Sequence, residues 1–199
     1  MVTSPHHLAS EAGLRVLREG GNAIEATVSM AATLAVVYPH MTSIGGDGFW
    51  LIAAPGKPVV GIDACGAAGA AVTPQLYAKH GLTAVPWRGP LAANTVAGTL
   101  SGWGAALDVS SRRGGRLPLS RLVEDAVWHA RDGFAVTASQ EELTRTKVEE
   151  LRDAPNFKHT FMPGGRLPRE GQVMKLAALG RTLERIGKAG TEDVYRGEI

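Results

Sequence analysis

Cysteine is almost missing. Cys65 is the only one in 199 residues, so no internal disulfide can form, which is compatible with a reducing compartment. Charge is sparse as well. Only 20% of the residues are Asp, Glu, Lys or Arg, against a usual figure of about 25%. The net charge is +2 and no basic stripe runs along any segment, so neither nucleic acid nor a membrane surface is expected as a partner. Arg112, Arg113 and Arg116 fall in a glycine-rich turn that reads as a solvated loop. No run of about 18 apolar residues occurs, which excludes a simple transmembrane helix. The opening Met-Val-Thr-Ser-Pro-His-His has neither the basic nor the apolar region of a signal peptide. The cytoplasm is therefore the expected compartment, or the periplasm if a further segment precedes Met1.

Several kinds of chemistry are missing too. His6, His7, His40, His80, His129 and His159 are scattered without metal-ligand spacing. No metal and no cofactor is expected. There is no Gly-x-Ser-x-Gly elbow. Gly98-Thr99-Leu100-Ser101-Gly102 comes nearest, with its serine one place too late.

Glycine is abundant, 25 residues, and 44% of the chain is hydrophobic. That combination points to close backbone packing and many turns rather than disorder. The stretch that stands out is Tyr38–Trp50, where Gly45, Gly46 and Gly48 lie within four positions. Glycines so dense imply a sharp turn or close backbone approach. A phosphate cradle would need the order strand–glycines–helix with a following Lys-Ser/Thr. Here the order is helix–glycines–strand, so a structural turn is expected. His40 sits inside it.

Upstream, Leu8, Ala12 and Val16 recur at helical spacing over Leu8–Glu19, and Gly20-Gly21 stops the helix. Asn22 caps a second helix, Ala23–Val37, which is apolar nearly all round and therefore buried on most sides. Downstream, Phe49–Ala54 and Val59–Ala64 read as a hairpin whose strands are covered on both faces. Helices are further expected from Thr73-Pro74 to Gly81, over Thr95–Val109, Ser120–Asp132, Ser139–Arg152 (burying Leu143, Val148 and Leu151) and Gln172–Ile186. Asn156–Glu170 reads as loop, and Thr191–Ile199 opens a further element. One hairpin is too few strands for a covered sheet. The expectation is an α/β (α+β) chain forming the first part of a layered structure whose remaining strands lie elsewhere.

Cys65 follows the second strand and precedes Gly66. It reads either as a nucleophile, which would need a base nearby, or as a small apolar side chain lining a pocket. No complete catalytic constellation is present.

Several segments resemble one family. Ser4-Pro5-His6, Leu8–Gly13 and Leu17–Ala23 are similar to the opening of the γ-glutamyltransferase (γ-glutamyltranspeptidase) family. Val37–His40, Gly45–Phe49, Asn94–Gly98, Ala130–Phe134 and Val194–Ile199 resemble further family motifs in the family order. The resemblance implies an N-terminal nucleophile (Ntn) hydrolase, a four-layer αββα sandwich made as a proenzyme. Autocatalytic cleavage exposes a threonine nucleophile at the start of the small subunit, and its own α-amino group acts as base. The threonine and the oxyanion-hole glycines are expected beyond Ile199. Residues 1–199 would be the N-terminal part of a single domain, inactive alone, with the small subunit and a small amide as partners.

One departure bears on substrate. The family carries Arg-Glu-x-Ala-Pro after its second strand, where the Arg grips the α-carboxylate of a γ-glutamyl group. Here Cys65 takes the Arg position within Asp63–Gly69. A thiol cannot replace a bidentate guanidinium. Arg88 offers a cation from the next loop, or a purely structural side chain. Cys65, Gly66 and Arg88 are thus the candidate substrate contacts. The substrate stays open between γ-glutamyl compounds, as in glutathione metabolism, and small amides such as oxamate. A non-catalytic scaffold is the reading outside enzymes.

Overall fold

A computed structural model describes residues 1–199. The chain begins with two antiparallel helices, α1 (His7–Arg18) and α2 (Ala23–Val37). His6 caps α1 by accepting the Leu8 amide on Nδ1 at 3.2 Å. Gly20 takes φ +85° and turns the chain. Asn22 then caps α2 as part of a full capping box, with Glu25 reaching back to the Asn22 amide. The helices approach closely at Gly13, where a Cβ would lie 2.6 Å from Met30 Cγ. Helix α2 is buried around most of its circumference, as its composition predicts.

The glycine turn leads to β1 (Gly48–Ala54) and β2 (Lys57–Ala64), an antiparallel hairpin paired from Gly48↔Ala64 to Ala54↔Lys57. The turn is only Pro55-Gly56, with Gly56 at φ +66°. The second strand therefore starts two residues before the expected Val59. Helix α3 (Pro74–Lys79) starts at the Thr73 cap as expected.

Five expectations need correction. Helix α4 spans Thr99–Ser111, not Thr95–Val109. Thr95 instead bridges Ala68, and Val96 donates to the Ala67 carbonyl at 2.9 Å. The stretch 120–132 breaks at Val123 into α5 (Leu119–Leu122) and α6 (Glu124–Asp132). Gln172–Ile186 is not one helix. Val173–Met174 forms β4, pairing with β3 (Phe134–Ala135), and the helix comes only after it. The Val136 and Gln172 backbones bond at 2.9 Å, so tertiary pairing overrides the local pattern. Finally, helix α7 (Ala138–Leu151) buries Gln140 and Thr144 rather than its apolar residues. The expected loop after it holds a short helix α8 (Phe157–Phe161). Helices α9 (Ala177–Ala189) and α10 (Asp193–Arg196) complete the chain.

The main core gathers α1, α2, α4, α5, α6 and α9 around Trp103, Leu122, Leu183 and Ile186. A smaller cluster, Ile24, Ile52, Ala106 and Val109 with Trp50, Val60 and Ile62, seats one face of the hairpin on α2 and α4. The other face is bare. Phe49, Leu51 and Val59 are 72%, 86% and 63% exposed. The expectation of strands covered on both faces holds for one face only within these residues. No helix is long and apolar enough to cross a membrane.

Candidate functional site

Three backbone segments cross where the hairpin opens: the glycine turn, the exit of β2 and the entry to α4. The crossing is tight. Gly66 has φ +74°, and a Cβ there would lie 1.7 Å from the Val96 carbonyl oxygen. A Cβ on Gly98 would lie 2.1 Å from the Ala64 oxygen. Only glycine fits either position.

Gly45, Gly46 and Gly48 behave differently. None has positive φ, and an added Cβ would meet nothing closer than 3.4 Å. Conformational freedom therefore does not explain these three. What Gly46 supplies is its carbonyl, which accepts the Gly98 and Thr99 amides, both at 2.9 Å, and the Thr99 hydroxyl at 2.8 Å. The amides of the N-cap Gly98 and of Thr99, the first residue of α4, are thus taken by backbone rather than left for an anion. The turn works as a helix cap.

Tyr195 closes the same corner from α10. Its hydroxyl donates to the Ala97 carbonyl at 2.6 Å and accepts the Ser101 amide at 3.1 Å. Tyr77 of α3 accepts the Asn94 side-chain amide at 3.1 Å. The sequence drew no attention to Gly98, Thr99 or Tyr195 as functional residues. Thr99 right after a glycine, at the start of a helical pattern, was the one available signal.

Cys65 stands at this crossing, half-exposed. Its amide donates to Asp63 Oδ1 at 3.1 Å. The Asp63 carboxylate beside it pushes the thiol above its ordinary range, first by hydrogen bonding and then by charge. This is the opposite of the electropositive setting that makes a thiolate nucleophile. Arg88 is engaged elsewhere, donating to Glu150 of α7 at 2.5 Å. It lines a depression of about 350 Å³ with Pro39, His40, Met41 and Phe157. Cys65 and Gly66 do not line that depression, and no hydrogen bond joins Arg88 to Cys65. His40 bonds Ser139 through Nε2 at 3.1 Å. No three His, Cys, Asp or Glu side chains gather as metal ligands would.

Residues 9–199 match the Gamma-glutamyltranspeptidase family. The chain belongs to the γ-glutamyltranspeptidase family. Over its whole length it is 50% identical to the oxamate amidohydrolase proenzyme of Klebsiella pneumoniae, covering 38% of that protein. It is 40% identical to the glutathione hydrolase-like YwrD proenzyme of Bacillus subtilis, covering 37% of it. The chain thus spans well under half the length of these relatives. Among solved structures, the γ-glutamyltranspeptidase of Helicobacter pylori superposes with a TM-score of 0.88 at 33% identity, over 98% of this chain and 56% of that one. A cephalosporin acylase from Bacillus halodurans gives 0.86 at 30% identity, over 96% of this chain and 36% of that one. The mixed α/β fold is accordingly that of the corresponding part of a γ-glutamyltranspeptidase.

Proposed function

We propose that this chain is the N-terminal part of the large subunit of an Ntn hydrolase that cleaves a small amide through an acyl-enzyme. A threonine supplied by a segment beyond Ile199 would attack the amide carbonyl. The amine would leave with a proton, and water would then release the acid and regenerate the hydroxyl. The chain's own contribution would be the rim at Cys65 and Gly66 and the scaffold behind it. The bare face of the hairpin would receive strands from the small-subunit half of the precursor.

One observation carries this reading: the 50% identity to an oxamate amidohydrolase proenzyme, which runs over every part of the chain. The site chemistry supports a small amide over a γ-glutamyl compound. Cys65, with its thiol held protonated beside Asp63, offers no cation to an α-carboxylate. The γ-glutamyl reading is the second one, favoured by the 40% identical relative named as glutathione hydrolase-like. The test is to assay the full-length processed protein with oxamate and with γ-glutamyl-p-nitroanilide. Ammonia release from oxamate with little p-nitroaniline is the expected result. Robust γ-glutamyl transfer to glycylglycine would replace the first reading with the second.

A further inference from the structure

Four histidines, three of them buried or half-buried, gather where α1, the glycine turn, α6 and α7 meet. His6 is 6% exposed and stacks on His7 at 4.8 Å between ring centroids. The Tyr38 ring lies 6.3 Å from His6 and 4.3 Å, edge-on, from His40. His40 reaches across 99 residues to Ser139 in the first turn of α7. His129 of α6 is buried and close enough to His6 for their charges to repel. Each buried ring is short of what it would need as a cation. The His6 Nδ1 lone pair is committed to the Leu8 amide. The Nδ1 atoms of His40 and His129 are buried with no partner to receive a proton.

We propose that His6 and His40, both in contact with Tyr38 and backed by His129, form an acid-released latch. Neutral, it holds the Tyr38–Asp47 turn against α1 and α7; protonated, it frees the turn. Adding a proton to His6 Nδ1 would break the α1 cap and place a cation beside His7, His40 and His129. No carboxylate acts on His6 itself. Asp125 and Glu11 face His129. Asp125 is held by Arg15 at 2.7 Å and Arg121 at 3.2 Å, while Glu11 is exposed and makes no ion pair, so His129 backs the latch by its repulsion of a charged His6. Around His40, Arg88 and Lys147 line the same depression and are cations themselves, both paired to Glu150. Ser139 is neutral.

The direction of titration agrees. Burial lowers His6 to about 4, and burial also lowers His40 and His129 from 6.5. A lowered histidine stabilises the fold fully above its unfolded value. That contribution is lost as pH falls from about 6.5 toward 4. Because the turn's Gly46 carbonyl caps α4, its release would loosen the crossing at Cys65.

The test is amide exchange of the full-length protein, read as protection factors at about pH 7.5 and about pH 4.5, spanning the titration. The expected result is a loss of about tenfold or more at the Met41, Thr42 and Thr99 amides, with α9 amides nearly unchanged. His6→Asn keeps an N-cap without a titrating ring, and His40→Gln keeps a side-chain nitrogen for Ser139. Each variant should abolish the local loss, and either one decides if the other does not fold. A loss of equal size throughout the protein, no loss at the turn, or a local loss that persists in the variants would overturn the latch.

Discussion

Thr99 is joined to Gly46 twice. Its amide and its hydroxyl both donate to the Gly46 carbonyl, at 2.9 and 2.8 Å. The hydroxyl also lies 3.1 Å from the Asp47 carbonyl. One buried threonine thus fastens a 13-residue helix to the turn that starts the hairpin. Thr99→Val keeps shape and removes the hydroxyl donor, while the Gly46 carbonyl keeps its two amide donors, so it should cost about 0.5–1.5 kcal/mol, the net worth of one hydrogen bond. Thr99→Ser should recover most of it. Urea midpoints of the three proteins check the order.

The glycines divide by what surrounds them rather than by how densely they cluster. Gly98→Ala drives a Cβ to 2.1 Å from the Ala64 backbone oxygen, and neither segment can yield without opening the crossing. It should destabilise by more than about 4 kcal/mol or abolish soluble expression. Gly69→Ala, in the same loop region, meets only the Val72 side chain at 3.6 Å and should change stability by less than about 0.5 kcal/mol. Thermal melts of the two variants separate the cases. Equal effects would show that glycine content, and not the crossing, governs this corner.

A different carboxylate secures the other end of α2. Glu25 is 2% exposed and accepts the amides of Asn22 at 2.7 Å, Arg116 at 2.6 Å and Leu117 at 2.8 Å. Three backbone donors satisfy it without a cation. Glu25→Gln replaces one acceptor with a donor facing those amides, so it should cost about 3 kcal/mol. The loss should appear as a lower urea midpoint with an unchanged slope.

Local chemistry was legible in the sequence wherever it depended on near neighbours. Asn22 is a helix cap, Thr73-Pro74 is a helix start, and Ala23–Val37 is apolar nearly all round because most of its circumference is packed. What escaped was set by distant partners. Thr95–Gly98 reads as the opening of the helix, but it pairs with the loop after β2 and Gly46 caps the chain only at Thr99. Val173–Met174 follows a helical pattern, yet β3 takes it into a strand. At the candidate site, the departure at Cys65 was visible, whereas its environment was not. Asp63 lies two residues away, and nothing in the spacing says that its carboxylate turns back onto the Cys65 amide. For Arg88 the sequence leaves a substrate cation and a structural side chain both open, and its partner Glu150, 62 residues distant, cannot be read from local spacing.

That environment yields the sharpest test of substrate choice. Asp63 and Asp47 both act on the Cys65 thiol, and neither is paired to a cation. A guanidinium at position 65 would therefore find carboxylates to take one edge of its N–H fork, leaving the other edge for a substrate carboxylate. Under the proposed reading, Cys65→Arg supplies the guanidinium that would grip a γ-glutamyl α-carboxylate. Hydrolysis of γ-glutamyl-p-nitroanilide should rise by about tenfold or more relative to oxamate, since a bidentate carboxylate contact discriminates on that scale. The gain should appear mainly in KM, because the contact is made in the ground state as well as the transition state. An unchanged substrate ratio in a correctly processed variant would mean that position 65 does not face the substrate, and the carboxylate contact would then have to be sought on the other subunit.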